Sequence, residues 1–114
     1  MPPTPDALTA ATQVLLQEDF GLPAPTDAAT YSEDEVVRWL ADAIDYEMQH
    51  RMEFLMSRCY VLDVPEEAVA DAFHPAAPEP ANVGLARLLY ARQRQRAHTK
   101  LTVKPEPLDD ELAW

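Results

Sequence analysis

Glycine is nearly missing from this chain of 114 residues, which holds only Gly21 and Gly84. Phosphate-cradling loops and nucleophile elbows depend on glycine for close backbone approach, so nucleotide loops and hydrolase-type turns are excluded on simple grounds. Tight hairpins need turn residues at positive φ, and strands need alternating apolar residues; neither pattern is present. Cys59 is the single cysteine, which rules out an internal disulfide and fits a small buried hydrophobe in a reducing compartment. No uninterrupted apolar run is long enough to span a bilayer, and Met1-Pro2-Pro3-Thr4-Pro5-Asp6 lacks the basic start and apolar stretch of an export signal. The expectation is a cytoplasmic protein that does not meet a membrane. Bases are also scarce, nine against twenty acids, for a net charge of −11.

The charge is unevenly placed. Residues 1–80 hold sixteen acids and three bases, residues 81–104 hold six bases and no acid, and Glu106, Asp109, Asp110 and Glu111 make the end acidic again. Most of this surface repels nucleic acid and anionic membrane. With 47% hydrophobic residues, a chain of this size forms one small domain that buries roughly 65% of its extended surface. The preference for Ala, Pro and Arg over Ile, Lys and Asn points to GC-rich coding and a bacterial source.

What is abundant is helical periodicity. Ser32 followed by Glu35 is a capping-box signature, in which each side chain satisfies the other's free backbone N–H. No proline or glycine then occurs before Pro65. Steps of 100° place Val37, Leu40, Ala41, Ile44, Met48, Met52, Leu55, Cys59 and Leu62 on one stripe, and Val36, Trp39, Ala43, Tyr46 and Phe54 on a second. One helix over residues 32–62 would run roughly 45 Å. A helix apolar on two sides must be covered on both, so it is expected to be the spine of the fold or half of a homodimer.

Around it, Thr4 with Pro5 at the first helical position begins a helix carrying Leu8, Ala11 and Leu15, which stops near Gly21. Leu22–Thr30 reads as a proline-bearing linker. Asp63 with Glu66 repeats the capping-box spacing before a short helix to Phe73. The prolines of residues 74–80 form a stiff connector, and Asn82 is placed to cap a last helix to about Ala97. The expected organisation is an N-terminal helix and linker (1–31), a helical core (32–98) and an acidic, Trp-ended tail (99–114). The fold class is all-α, a small bundle of three to four helices built on one long central helix.

Residues 35–93 resemble small uncharacterised bacterial helical proteins. The likeness rests on Trp39-Leu40, Ile44, the Tyr60-Val61-Leu62-Asp63-Val64 turn, Ala86-Arg87-Leu88-Leu89 and Arg92-Gln93, and it implies a helical fold with no assigned activity.

Four constellations bear on function. Glu47 and His50 form a Glu-x-x-His pair whose spacing points both side chains at one metal, but a di-iron site needs a second copy that only a dimer would supply. The structural alternative pairs Glu47 with Arg51. Arg51, Arg58 and Arg92 fall on otherwise apolar faces, where a network with Glu47 would specify helix register, or where the guanidinium forks would grip an anion. Arg92, Arg94 and Arg96, near Tyr90, His98 and Lys100, are candidates for anion or nucleic-acid binding, opposed by the net charge and by the lack of an aromatic platform. Lastly, Leu108, Leu112 and Trp114 decorate the acidic tail and, with Trp39, Tyr46 and Phe54, are candidate partner-binding residues. The reading is a non-catalytic interaction or assembly subunit with a protein partner or a second copy of itself, without cofactor. A metal-binding bundle or an anion-binding last helix are its alternatives.

Overall fold

The computed structural model describes residues 4–20 and 32–102. Among them are five α-helices: α1 (Pro5–Phe20), α2 (Glu33–His50), α3 (Met52–Val61), α4 (Glu66–Phe73) and α5 (Ala81–Thr102). The all-α expectation stands, and the count of three to four helices is corrected to five.

Two starts follow their sequence signals. The Ala7 N–H donates to the Thr4 hydroxyl at 3.1 Å, with Pro5 at the first helical position. The Ser32 box is complete: the Ser32 N–H donates to Glu35 Oε1 at 2.8 Å and the Glu35 N–H to Ser32 Oγ at 3.2 Å. These bonds span three residues, so nothing distant is needed to form them.

The single helix over 32–62 is not formed. Arg51, at φ −144° and ψ 52°, separates α2 from α3, although neither proline nor glycine stands nearby. The reason is tertiary. A straight rod of roughly 45 Å would carry its second half beyond the neighbours available to cover it, whereas the break returns Leu55, Cys59 and Leu62 to the core at 0%, 4% and 4% exposure. Met48 and Met52, beside the break, are left half-buried and exposed.

The centre of the bundle is α5, not the α2–α3 segment. It packs against α1, α2 and α4, and its buried side chains Leu85, Ala86, Leu89, Tyr90, Gln93 and Ala97 form one continuous stripe. That stripe meets Val36, Leu40 and Ile44 of α2 and Leu16 and Phe20 of α1 in the main core. A smaller cluster joins Leu8 and Leu15 of α1 to Ala97. On another side of α5, Gly84 faces α4: a Cβ there would lie 3.3 Å from the Ala72 Cβ, so the glycine permits the close approach of these helices.

Two expected caps play other parts. Asp63 closes α3 and does not open α4. The Val64 N–H donates to the Cys59 carbonyl and the Asp63 N–H to the Tyr60 carbonyl, both at 3.0 Å, which with Asp63 at φ 64° is a Schellman ending. Helix α4 begins at Glu66 after Pro65, with no side-chain cap. Asn82 reaches across to donate to the Ala41 carbonyl at 3.2 Å, while Val83 and Gly84 donate to the Pro80 carbonyl. Helix α5 continues to Thr102, beyond the expected end near Ala97.

Candidate interaction surface

The Schellman ending of α3 shapes an open, largely apolar surface groove. The left-handed turn at Asp63 folds Val64 back onto Cys59, burying both, and the next residues leave for α4 at Pro65. Arg92 of α5 anchors the turn from behind, its Nε donating to the Leu62 carbonyl at 2.7 Å. Between α3 and α4 lies a groove of about 480 Å³. Met56 and Val69, both packed on the core, line it with Cys59, Val64, Pro65 and Ala70, and Tyr60 stands at its lip. Tyr60 is 82% exposed and Val61 beside it 57%.

The electrostatics of the groove have one sign. Its charged lining residues are Asp63 and Glu66, with no base among them. Residues 52–73, which contain both helices, hold five acids and only Arg58 as a base. That base is turned elsewhere: its Nη1 faces the Asp19 carbonyl at 3.5 Å, and its guanidinium carbon lies 5.5 Å from the Phe54 ring centroid. Cys59, on the groove's inner wall, has its thiol pKa raised by burial. A thiol held neutral is a poor nucleophile, so it acts as a packing group.

The candidate residues from the sequence occupy several separate places. Trp39 and Phe54 are half-buried and pack on the core; Phe54 also meets Phe20 edge-on at 6.3 Å. Tyr46 is 57% exposed, and its ring centroid lies 4.5 Å from that of His50. Leu108, Leu112 and Trp114 lie outside the described residues.

Glu47 and His50 have different surroundings. His50 is exposed, whereas Glu47 is buried, 3.7 Å from Arg51 Nη1, with its Oε1 lacking a hydrogen-bond partner among the described residues. Among the described residues no group of three His, Cys, Asp or Glu side chains is placed to hold a metal ion. The expected four-member network of Glu47, Arg51, Arg58 and Arg92 is not formed. Arg51 covers Phe54, its guanidinium carbon 4.1 Å from the ring centroid, and Arg58 and Arg92 bond backbone carbonyls of α1 and the α3 ending. Glu47 thus faces Arg51 alone, and the buried Nε of Arg58 has no hydrogen-bond partner among the described residues.

Two arginines at the basic end of α5 pair with acids of their own chain. Arg94 Nε meets Glu33 at 3.2 Å, and Arg96 Nη1 meets Asp19 at 3.0 Å. Gln93, fully buried, joins the second pair: its Nε2 donates to Asp19 and its Oε1 accepts from Arg96 at 2.9 Å. This polar latch fastens α1 to α5. Periodicity could not show it, because the partners are separated by more than seventy residues. Burial pushes the Tyr90 phenol pKa up; Thr9 offsets part of this, the Glu33 carboxylate adds to it, and Arg94 pulls it back.

No family model, no curated protein and no solved structure matches this chain, so no function comes to it by relationship. Among the described residues no helix is long and apolar enough to cross a membrane.

Proposed function

We propose that this protein is a non-catalytic interaction or assembly subunit, presenting helix surface and its acidic C-terminal segment to a protein partner or to a second copy of itself. The observation that carries this reading is Tyr60, an aromatic residue 82% exposed at the lip of an apolar groove. Isolated exposed apolar residues are ordinary on any surface, but tyrosine is enriched at binding hot spots, and this one stands beside an apolar groove. The lone buried cysteine fits a reducing compartment, and the reading places the protein in the cytoplasm.

Native mass spectrometry of the untagged protein, purified gently enough to keep co-eluting molecules, tests the proposal. A dimer or a stoichiometric complex with another protein is the expected result; a bare monomer across the accessible concentration range refutes it. Tyr46→Ala and Tyr60→Ala are better surface probes than Trp39→Ala, because Trp39 also packs on the core.

The competing reading is a metal-bound helical dimer that uses Glu47 and His50. The unpartnered Oε1 of Glu47 favours it, and the exposure of His50 weighs against it. Metal that co-purifies and is lost in His50→Ala would establish it. Anion or nucleic-acid binding through Arg92, Arg94 and Arg96 finds less support, since the last two are already paired with acids of their own chain. Retention on heparin, lost in a variant with both Arg94→Ala and Arg96→Ala, would restore that reading.

A further inference from the structure

We infer that the α3–α4 groove receives a basic amphipathic segment of a protein partner, with an apolar side chain entering between Met56, Val64 and Val69 and flanking lysines or arginines meeting Asp63 and Glu66. This rests on the interaction reading above and names its surface and the chemistry of its ligand.

Three observations converge. The floor is apolar and held by the core, since Met56 and Val69 pack on it and Val64 is buried; an entering side chain meets a formed surface, which lowers the ordering cost of binding. The rim is acidic without compensation, because Asp63 and Glu66 make no ion pair among the described residues, whereas Asp19, Glu33, Glu47 and Glu79 do. Tyr60 at the lip supplies a rigid aromatic edge and, on its face, a site for a cation.

The same charges discriminate among occupants. The acidic segment of residues 105–114, with Glu106, Asp109, Asp110 and Glu111, would meet like charge at Asp63 and Glu66. A second copy docked groove to groove would do the same. Nucleic acid is repelled outright. A basic, apolar protein segment is the chemistry that satisfies floor and rim together.

The test uses the full-length ¹⁵N-labelled protein and two synthetic fourteen-residue peptides of equal positive charge. One is an amphipathic lysine/leucine helix; in the other every leucine is replaced by serine. Amide shift changes centred on Tyr60, Val64 and Val69, and binding at least tenfold tighter for the leucine peptide, are expected. Tyr60→Ala and Glu66→Lys should each weaken it about tenfold, with the thermal midpoint of Tyr60→Ala unchanged because that side chain is exposed. Shifts centred on another face, equal binding of the two peptides, or indifference to both substitutions overturn the assignment. Native mass spectrometry separates the two levels. If the peptide test fails while a dimer or complex is seen, the groove assignment falls and the interaction reading survives; if a bare monomer is seen as well, both fall.

Discussion

Asp63 offers a prediction with opposite signs in two assays. It sits at φ 64°, a conformation that costs an ordinary L-residue about 1–2 kcal/mol and aspartate somewhat less. Glycine adopts it freely but gives back about 0.5–1 kcal/mol through the greater freedom of the unfolded chain. Asp63→Gly should therefore stabilise the fold by up to about 1 kcal/mol, a rise in thermal midpoint of up to about 8 °C for a domain of this size. Asp63→Val, which forces a β-branched residue into the same turn, should destabilise it by about 1–2 kcal/mol. Asp63→Asn removes the charge while keeping a side chain that tolerates the turn, so the difference between the Gly and Asn variants isolates the backbone contribution. Circular dichroism melts and urea unfolding give these values. In the peptide titration the Gly variant should bind more weakly than the native protein, because one of the two rim acids is gone. A Gly variant no more stable than the Asn variant, together with a neutral Val variant, would refute the left-handed turn on which the shape of the groove depends.

Four further outcomes are expected. Gln93→Leu keeps the side-chain volume but removes the two Gln93 bonds of the α1–α5 latch, leaving Arg96 on Asp19, and should cost about 1–3 kcal/mol in urea unfolding; equal stability would mean the glutamine adds nothing to the latch. Ser32→Ala should cost about 1 kcal/mol by loss of its half of the capping box, read as a lower thermal midpoint. Gly84→Val, overpacked against Ala72, should cost about 1–3 kcal/mol, and an unchanged melt would show that α4 moves away freely. Burial raises the pKa of the Cys59 thiol above its ordinary 9.0 and that of the Tyr90 phenol above 10.0. Folding thus holds both protons more tightly than the unfolded chain does, and the stability tied to them is complete below pH 9 and lost as pH rises through the raised values. Thermal midpoints should fall above pH 9, with a shallower fall in Cys59→Ala; a flat profile would contradict the burial of both groups.

What this sequence determines by itself is local. Thr4 with Pro5, and Ser32 with Glu35, set helix starts through bonds spanning three residues, and the stripes through Leu40, Ile44, Leu55, Cys59 and Leu62 mark core side chains whatever the helix does between them. The all-α class follows from those periodicities and the scarcity of glycine. Tertiary structure decides the rest. Arg51 is not a helix-breaking residue, and the interruption there returns Leu55, Cys59 and Leu62 to the core. Asp63 and Asn82 are equally able to cap a helix start, to enter a left-handed turn or to reach a distant carbonyl; the packing of Val64 on Cys59 and the nearness of Ala41 select among these. Helix α5 is central because its stripe of buried residues meets α1 and α2 while its Gly84 side lets α4 approach. The groove is not legible in the chain at all, since Met56 and Val69 belong to separate helices and become linings of one surface only when the chain turns at Asp63 and α4 packs on α5.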